Sequence, residues 1–210
     1  MPPDPDQSAL DDALDTLRAH RVGALAFDEH IVPIRFVQMP DDGRIVFPAM
    51  TAMLDAPELV LFIPEESDEA LQLLLSAEPL DEHAHPGPDR WRIHHGEPQD
   101  IHWVGAWIDA ARRGPFVFDG DAMMPPNHLA ADEPALCKRA NSDEGALLAA
   151  TDRATGRENQ EPRCVGVDPW GLHVRTYFDI ARVPFREADA PAGTRDMAER
   201  AIDNLLKGAR

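Results

Sequence analysis

The sequence predicts an α+β fold, a mainly antiparallel β-barrel followed by a small domain of order α-β-β-β-α. Three observations lead there. Apolar runs at 22–27, 31–39 and 44–48 are separated by turn chemistry, and Asp41-Asp42-Gly43 supplies the positive φ that a tight hairpin requires. The run "ELVLFI", 58–63, reads as a buried strand that Pro64 ends by withdrawing a ladder donor. Beyond about residue 130 the pattern turns helical and then gives "RCVGVDPWGLHVRTYFDIARVPF", where Asp168 to Gly171 turns one strand into the next. The boundary separates a barrel domain, 1–130, from a C-terminal domain, 131–210.

The elements follow in order. Leu10, Ala13, Leu14 and Leu17 fall at helical spacing, with Ser8 placed to cap. The three strands and "ELVLFI" come next. Ala70, Leu71, Leu74 and Leu75 then predict a helix with an acidic first turn, which the helix dipole favours. "LDEHAHPGPD", 80–89, reads as a loop and "RWRIHHG" as a strand. Ile101, Val104, Ile108 and Ala111 predict an apolar stripe on a helix ending at Gly114. "PFVF" is a short strand before the turn-rich "DGDAMMPPNH". Two helical stretches separated at Asn141 precede the C-terminal strands. Along those strands Leu172 and Val174 face one way, His173 and Arg175 the other. A closing helix gathers Met197, Ala201, Ile202, Leu205 and Leu206 on one side.

At 210 residues, with 43% hydrophobic and 28% charged residues, the chain can bury a substantial core. Its net charge of -18, from 38 acidic against 20 basic residues, repels phosphate backbones and anionic lipid, so nucleic acid and membrane are not expected partners. Cys137 and Cys164 are too few for a disulfide framework, a CxxC pair or a cysteine zinc site, and both are expected reduced and packed. The acidic, proline-rich start has no apolar leader core, and no run of about 18 apolar residues occurs, so the expected location is cytoplasmic. Nucleophile elbow, P-loop and zinc motifs are missing.

Several stretches carry a family resemblance. "HRVGALAF", "VPIRFV" and "DDGRIVF", followed by a short helix and an apolar strand, resemble the pyridoxamine-phosphate-oxidase-like, FMN-binding split barrel. "RANSDEGAL", "GVDPWGLHVR", "RVPF" and "GAR", in that order, resemble the domain that follows this barrel in haem-utilisation, HugZ-like, haem-degrading proteins. The family pattern there is His-Met-Asn-x-Asp-His before Ala-Leu, then Gly-x-Asp-x-x-Gly, Arg-x-x-Phe and a C-terminal helix ending in Ala-Arg. The resemblance implies an antiparallel split β-barrel followed by the α-β-β-β-α domain, a homodimer, and haem or another flat cofactor between subunits, with oxygen-dependent haem ring opening as the reaction. An FMN-dependent oxidoreductase of the same fold is one alternative. A non-catalytic binding or regulatory protein that has lost the cofactor is the other.

The departures bear on function. The chain keeps Asn141 and Asp143 but carries Arg139 and Glu144 where the two histidines of the pattern would stand. A guanidinium stays protonated, and a carboxylate is an unusual axial ligand for haem iron. Flavin phosphate gripping implies a Ser or Thr beside a cation after the hairpin; "FPAMTAML" offers Thr51, and Arg35 of the preceding strand is the cation that could contribute.

The candidate cofactor-binding residues are Arg35, Thr51, Arg92, His94, His95 and Asn141, with no metal site expected. His94 and His95, read on a strand, point to opposite faces and so cannot share one ion, and either is the best candidate iron ligand. His83 and His85 read as solvated loop residues, and His102, His128 and His173 as packed or capping imidazoles. Asn141, with Glu144 three residues on, also has the spacing of a capping box, which accounts for both residues without a ligand.

Overall fold

In the computed structural model, which describes residues 5–98 and 102–208, the hairpin turn falls where the sequence puts it: Gly43 has φ 75° and its N–H bonds the Met39 carbonyl at 3.0 Å. The chain divides into two compact units, Met1–Pro125 and Pro126–Arg210. The first comprises α1 (Pro5–Ala19), β1 (Val22–Phe27), β2 (His30–Arg35), β3 (Val37–Gln38), β4 (Ile45–Ala49), α2 (Thr51–Leu54), β5 (Leu59–Ile63), β6 (Leu71–Leu80), α3 (Gly87–His95), β7 (His102–Arg113), β8 (Phe116–Asp119) and α4 (Gly120–Met123). Its strands form one antiparallel sheet of order β2-β1-β5-β6-β7-β4-β3, with β8 on β7, curled into the half-barrel of an α+β split-barrel fold.

Alternation fills the concave side. Leu25, Phe27, Phe36, Ile45, Phe47, Leu61, Ile63, Leu71 and Leu73 are buried there with Ala13 and Leu17 of α1. Each such aliphatic or aromatic side chain contributes about 1.5–3 kcal/mol. A second cluster, Val37, Met39, Val46, Trp91 and Trp103, includes a tryptophan from α3.

Three expected elements are corrected. Residues 71–75 belong to β6, not to a helix, and Ala70 lies just before it. Leu71, Leu73 and Leu75 are buried at a period of two while Leu74 stands 37% exposed. The expected helix over 101–114 is the strand β7, and Ile101 lies outside the described residues. Leu74 pairs with Ala110 but Leu75 with Ile108, so Asp109 is an extra residue in a bulge. The bulge slips the parity and puts Ala111 on the same buried side as Val104, Ala106 and Ile108, which imitates helical spacing. "RWRIHH", read as a strand, is the C-terminal part of α3. Pro88 lies in its first turn, and Gly96 at φ 85° closes it. Trp91 and His94, three apart, face inward, while Ile93 is 54% exposed. Two smaller differences concern ends: α1 already runs from Pro5, so Ser8 lies inside it, and the expected strand 31–39 breaks at Phe36.

The second unit comprises α5 (Glu133–Ala140), α6 (Glu144–Thr155), β9 (Arg163–Asp168), β10 (Gly171–Arg175), β11 (Ile180–Pro184) and α7 (Arg195–Lys207). The antiparallel order is β11-β10-β9. α5 packs on β9, α6 on β11 and α7 on both helices. Leu136, Leu147, Val167, Leu172, Val174, Val183, Phe185 and Ile202 form its core. The last two residues of the "GAR" block lie outside the described residues.

Candidate functional site

In the first unit Arg92, His94 and His95 lie on α3, and Arg35 meets α3 through its backbone carbonyl. The break between β2 and β3 leaves backbone carbonyls that need donors, and α3 supplies them. Trp91 Nε1 donates to Arg35 O at 2.9 Å, His95 Nε2 to Phe36 O at 3.0 Å and Arg90 Nε to Gln38 O at 3.1 Å. A carbonyl only accepts, so His95 carries its proton on Nε2. By the same argument His94, 1% exposed, carries its proton on Nδ1, 2.9 Å from Arg90 O. Burial is the main cause that lowers both imidazoles, His94 well below its ordinary value and His95 to about 4, with Arg90 and Arg21 adding to it at His94 and Arg35 and Arg21 at His95. Both rings are therefore neutral at pH 7.

These rings do not project from opposite faces. On the helix their centroids lie 6.1 Å apart, and the His95 ring packs on Trp91 at 4.9 Å. His94 is enclosed, whereas half-buried His95 donates through Nε2 to Phe36 O and keeps its lone pair on Nδ1.

Arg92 is also engaged. Its guanidinium meets Glu82 and Asp89 at 3.2 Å and Glu97 at 3.5 Å, and lies 5.2 Å from the centroid of the Trp103 ring. Trp103 Nε1 donates to the same Glu82 oxygen at 3.0 Å, and that bond, then Arg92, lowers the Glu82 carboxyl below its usual range. Thr51 opens the one-turn α2 and Arg35 ends β2, both exposed, and no hydrogen bond joins them among the described residues.

Of the other histidines, His83 is exposed, as are His102, at the start of β7 rather than on a helix, and His128. His85 lies between the Gly87 N–H and the Arg44 guanidinium, each at 3.0 Å. Among the described residues no group of three or more His, Cys, Asp or Glu is arranged to hold a metal ion.

The motif-bearing segments of the second unit form a different structure. Asn141 is not the cap of α6. It closes α5, and its side chain behaves as a short piece of strand: Nδ2 donates to Cys164 O at 2.9 Å and Oδ1 accepts from Cys164 N at 2.8 Å. The cap is Asp143, whose Oδ1 accepts from Ala146 N at 2.9 Å, and Glu144 is exposed. Arg139 reaches α7, bidentate on Asp203 at 2.9 and 2.7 Å and 3.6 Å from Glu199.

The "GVDPWG" and "RVPF" blocks clamp each other. Arg182 grips both Asp168 oxygens at 2.7 Å, and Phe185 N donates to Trp170 O at 2.8 Å. A Cβ on Gly171 would lie 2.4 Å from Val183 O, so only glycine fits this turn. His173, 3% exposed, accepts from Arg182 through Nε2 at 3.2 Å, which places its proton on Nδ1. Buried Glu133 accepts from Val167 N at 3.0 Å. Sequence reasoning missed buried Glu133 on α5 and the Asp168–Arg182 pair between β9 and β11. Charged residues facing each other across strands are the pair's signal, and that signal appears only once the register is known.

No family model and no curated protein matches the chain. Among solved structures, the protein Atu2129 from Agrobacterium tumefaciens str. C58, of unknown function, is similar with TM-score 0.73 and 18% identity, covering 98% of each chain. A haem-binding protein from Mycobacterium smegmatis is similar with TM-score 0.43 and 19% identity, covering 100% of this chain and 98% of that one. At such identity the first likeness speaks to the fold alone. Among the described residues no helix is long and apolar enough to cross a membrane.

Proposed function

We propose that this chain is a non-catalytic binding or regulatory protein on the split-barrel scaffold, in which positions that would serve a redox cofactor have become structural. The observation that carries the reading is what became of "RANSDE". Asn141 and Asp143, which match the haem-utilisation pattern, hold backbone: one pairs with Cys164, the other caps α6. Arg139, where the pattern has histidine, is spent on α7, and Glu144, at the other histidine position, faces solvent. What is kept is what the fold needs, and what is replaced is what iron would need.

Haem binding is the second reading. Its specific support is the mutual clamp of "GVDPWG" and "RVPF", which gives the block order of the resemblance a structural reason. Haem degradation and FMN-dependent oxidoreduction ask for more, a protein ligand to iron or a phosphate grip. A homodimer belongs to the same proposal, supported by Leu74 and Trp107, which remain 37% and 38% exposed on β6 and β7. Sedimentation as a monomer would remove that part.

Titration of the purified protein with haemin and with FMN tests the reading. The expected result is neither a saturating Soret shift nor quenching of flavin fluorescence. A Soret band saturating at one equivalent overturns it in favour of haem, and loss of that band in His95→Ala then puts the ligand on α3. Saturable quenching abolished by Arg35→Ala overturns it in favour of flavin.

A further inference from the structure

The chain has two cysteines, Cys137 and Cys164, 27 positions apart in sequence, and the fold brings them together. Cys137 lies on α5 and Cys164 on β9, with sulfurs 3.8 Å apart and both thiols free. Their surroundings are unequal. Cys164 is 3% exposed, and its Sγ also lies 3.5 Å from the Gly166 carbonyl, whereas Cys137 is half-buried and reachable from solvent. The backbone around Cys164 is fixed by the two Asn141 bonds, and Asn141 lies one helical turn beyond Cys137 on the same α5. One clamp therefore holds both sulfurs in register. Closing 3.8 Å to a bond of about 2.05 Å needs side-chain rotation and a small local shift.

We infer that Cys137 and Cys164 form a peroxide-oxidisable dithiol, a covalent modification site that staples α5 to β9. The Cys137 thiolate attacks one oxygen of a hydroperoxide, the O–O bond breaks and the departing oxygen leaves as water or alcohol, giving Cys137 sulfenic acid. Cys164 then loses its proton and attacks the Cys137 sulfur, the S–O bond breaks and water leaves. Two thiols are oxidised by two electrons and one peroxide is reduced. The neighbouring Cys137 sulfur and then burial raise the Cys164 thiol well above its ordinary value, which suits Cys164 to the resolving role rather than to the first attack. This inference does not depend on whether any cofactor binds.

The test starts from the parent protein. Reduced full-length protein is treated with a small excess of hydrogen peroxide, quenched in acid, denatured and alkylated, and its thiols are counted by mass spectrometry. The expected result is loss of both alkylatable thiols, a mass lower by about 2 Da, full reversal by dithiothreitol and a rise in Tm of about 5 °C or more. Cys164→Ser should instead accumulate a Cys137 sulfenic acid that a 1,3-dione traps. Two alkylatable thiols after treatment, sulfinic acid at Cys137 with Cys164 still free, or disulfide-linked pairs of chains would each overturn the proposal.

Discussion

The side chain of Asn141 pairs with the backbone of Cys164 through two reciprocal hydrogen bonds, 2.9 Å to the carbonyl and 2.8 Å from the N–H. A primary amide can do this because it presents one donor and one acceptor side by side, as a peptide unit does. Cys164 is in the core, so removing the partner leaves two backbone groups unsatisfied. Asn141→Ala should lose about 1–3 kcal/mol in urea denaturation. Asn141→Asp keeps the acceptor but sets a carboxylate against the Cys164 carbonyl, so its stability should fall by a similar amount and recover partly at low pH. An unchanged midpoint in both variants would free Asn141 for a ligand role.

Separate residues do the capping next to it. Asp143→Ala should cost about 1 kcal/mol, because the Ala146 N–H loses its acceptor. Glu144→Ala should stay within about 0.5 kcal/mol of the parent, since Glu144 is exposed. The capping-box reading of the sequence expects Glu144 to matter, so paired denaturation curves decide between the two.

The fold was legible where one face of an element is buried and its ends carry turn chemistry. The Asp41-Asp42-Gly43 hairpin, "ELVLFI" and the strands around Asp168 to Gly171 need only local rules. It was illegible where distant pairing resets the local rule. The Asp109 bulge gives β7 the spacing of a helix, and the partners that flank the bulge, Leu74 and Leu75 on β6, are distant in sequence. In "RWRIHH", alternating Arg, Trp, Arg and Ile imitated a strand, although Pro88 and Gly96 already marked a helix. The candidate site was legible as residues and not as roles. His94 and His95 belong to one cluster with Trp91, but His94 binds the Arg90 carbonyl of its own helix and His95 binds backbone freed by a strand break at Phe36, which no local pattern announces.

The Asp168 and Arg182 side chains are 15% and 12% exposed, and the pair is bidentate. Breaking it leaves one charge beside buried His173. Asp168→Ala or Arg182→Ala should destabilise by about 3–5 kcal/mol. Arg182→Lys should recover only part of this, because an ammonium cannot grip both oxygens in the plane of a fork. A double variant, Asp168→Leu with Arg182→Met, should be more stable than either single alanine variant. Chemical denaturation of the parent and the four variants measures it, and single alanine variants within about 1 kcal/mol of the parent would show that the clamp is not structural.

The His95 imidazole predicts a pH dependence. Its ordinary value of 6.5 is lowered to about 4, first by burial and then by Arg35 and Arg21. Between those values the unfolded chain binds a proton that the folded chain does not, so stability rises with pH across that window. The contribution is fully present above pH 6.5 and is lost as pH falls, reaching about 3 kcal/mol of loss near pH 4. His94 is shifted in the same direction and steepens the trend. Carboxylates titrate over the lower part of the window, so the His95 share is isolated by difference. Urea denaturation of the parent and of His95→Gln from pH 7 to pH 4.5 should give a shallower slope for the variant, which keeps a side-chain N–H to offer Phe36 O and cannot protonate. Parallel slopes would mean that His95 protonates in place, with α3 and the β2–β3 break accommodating the charge.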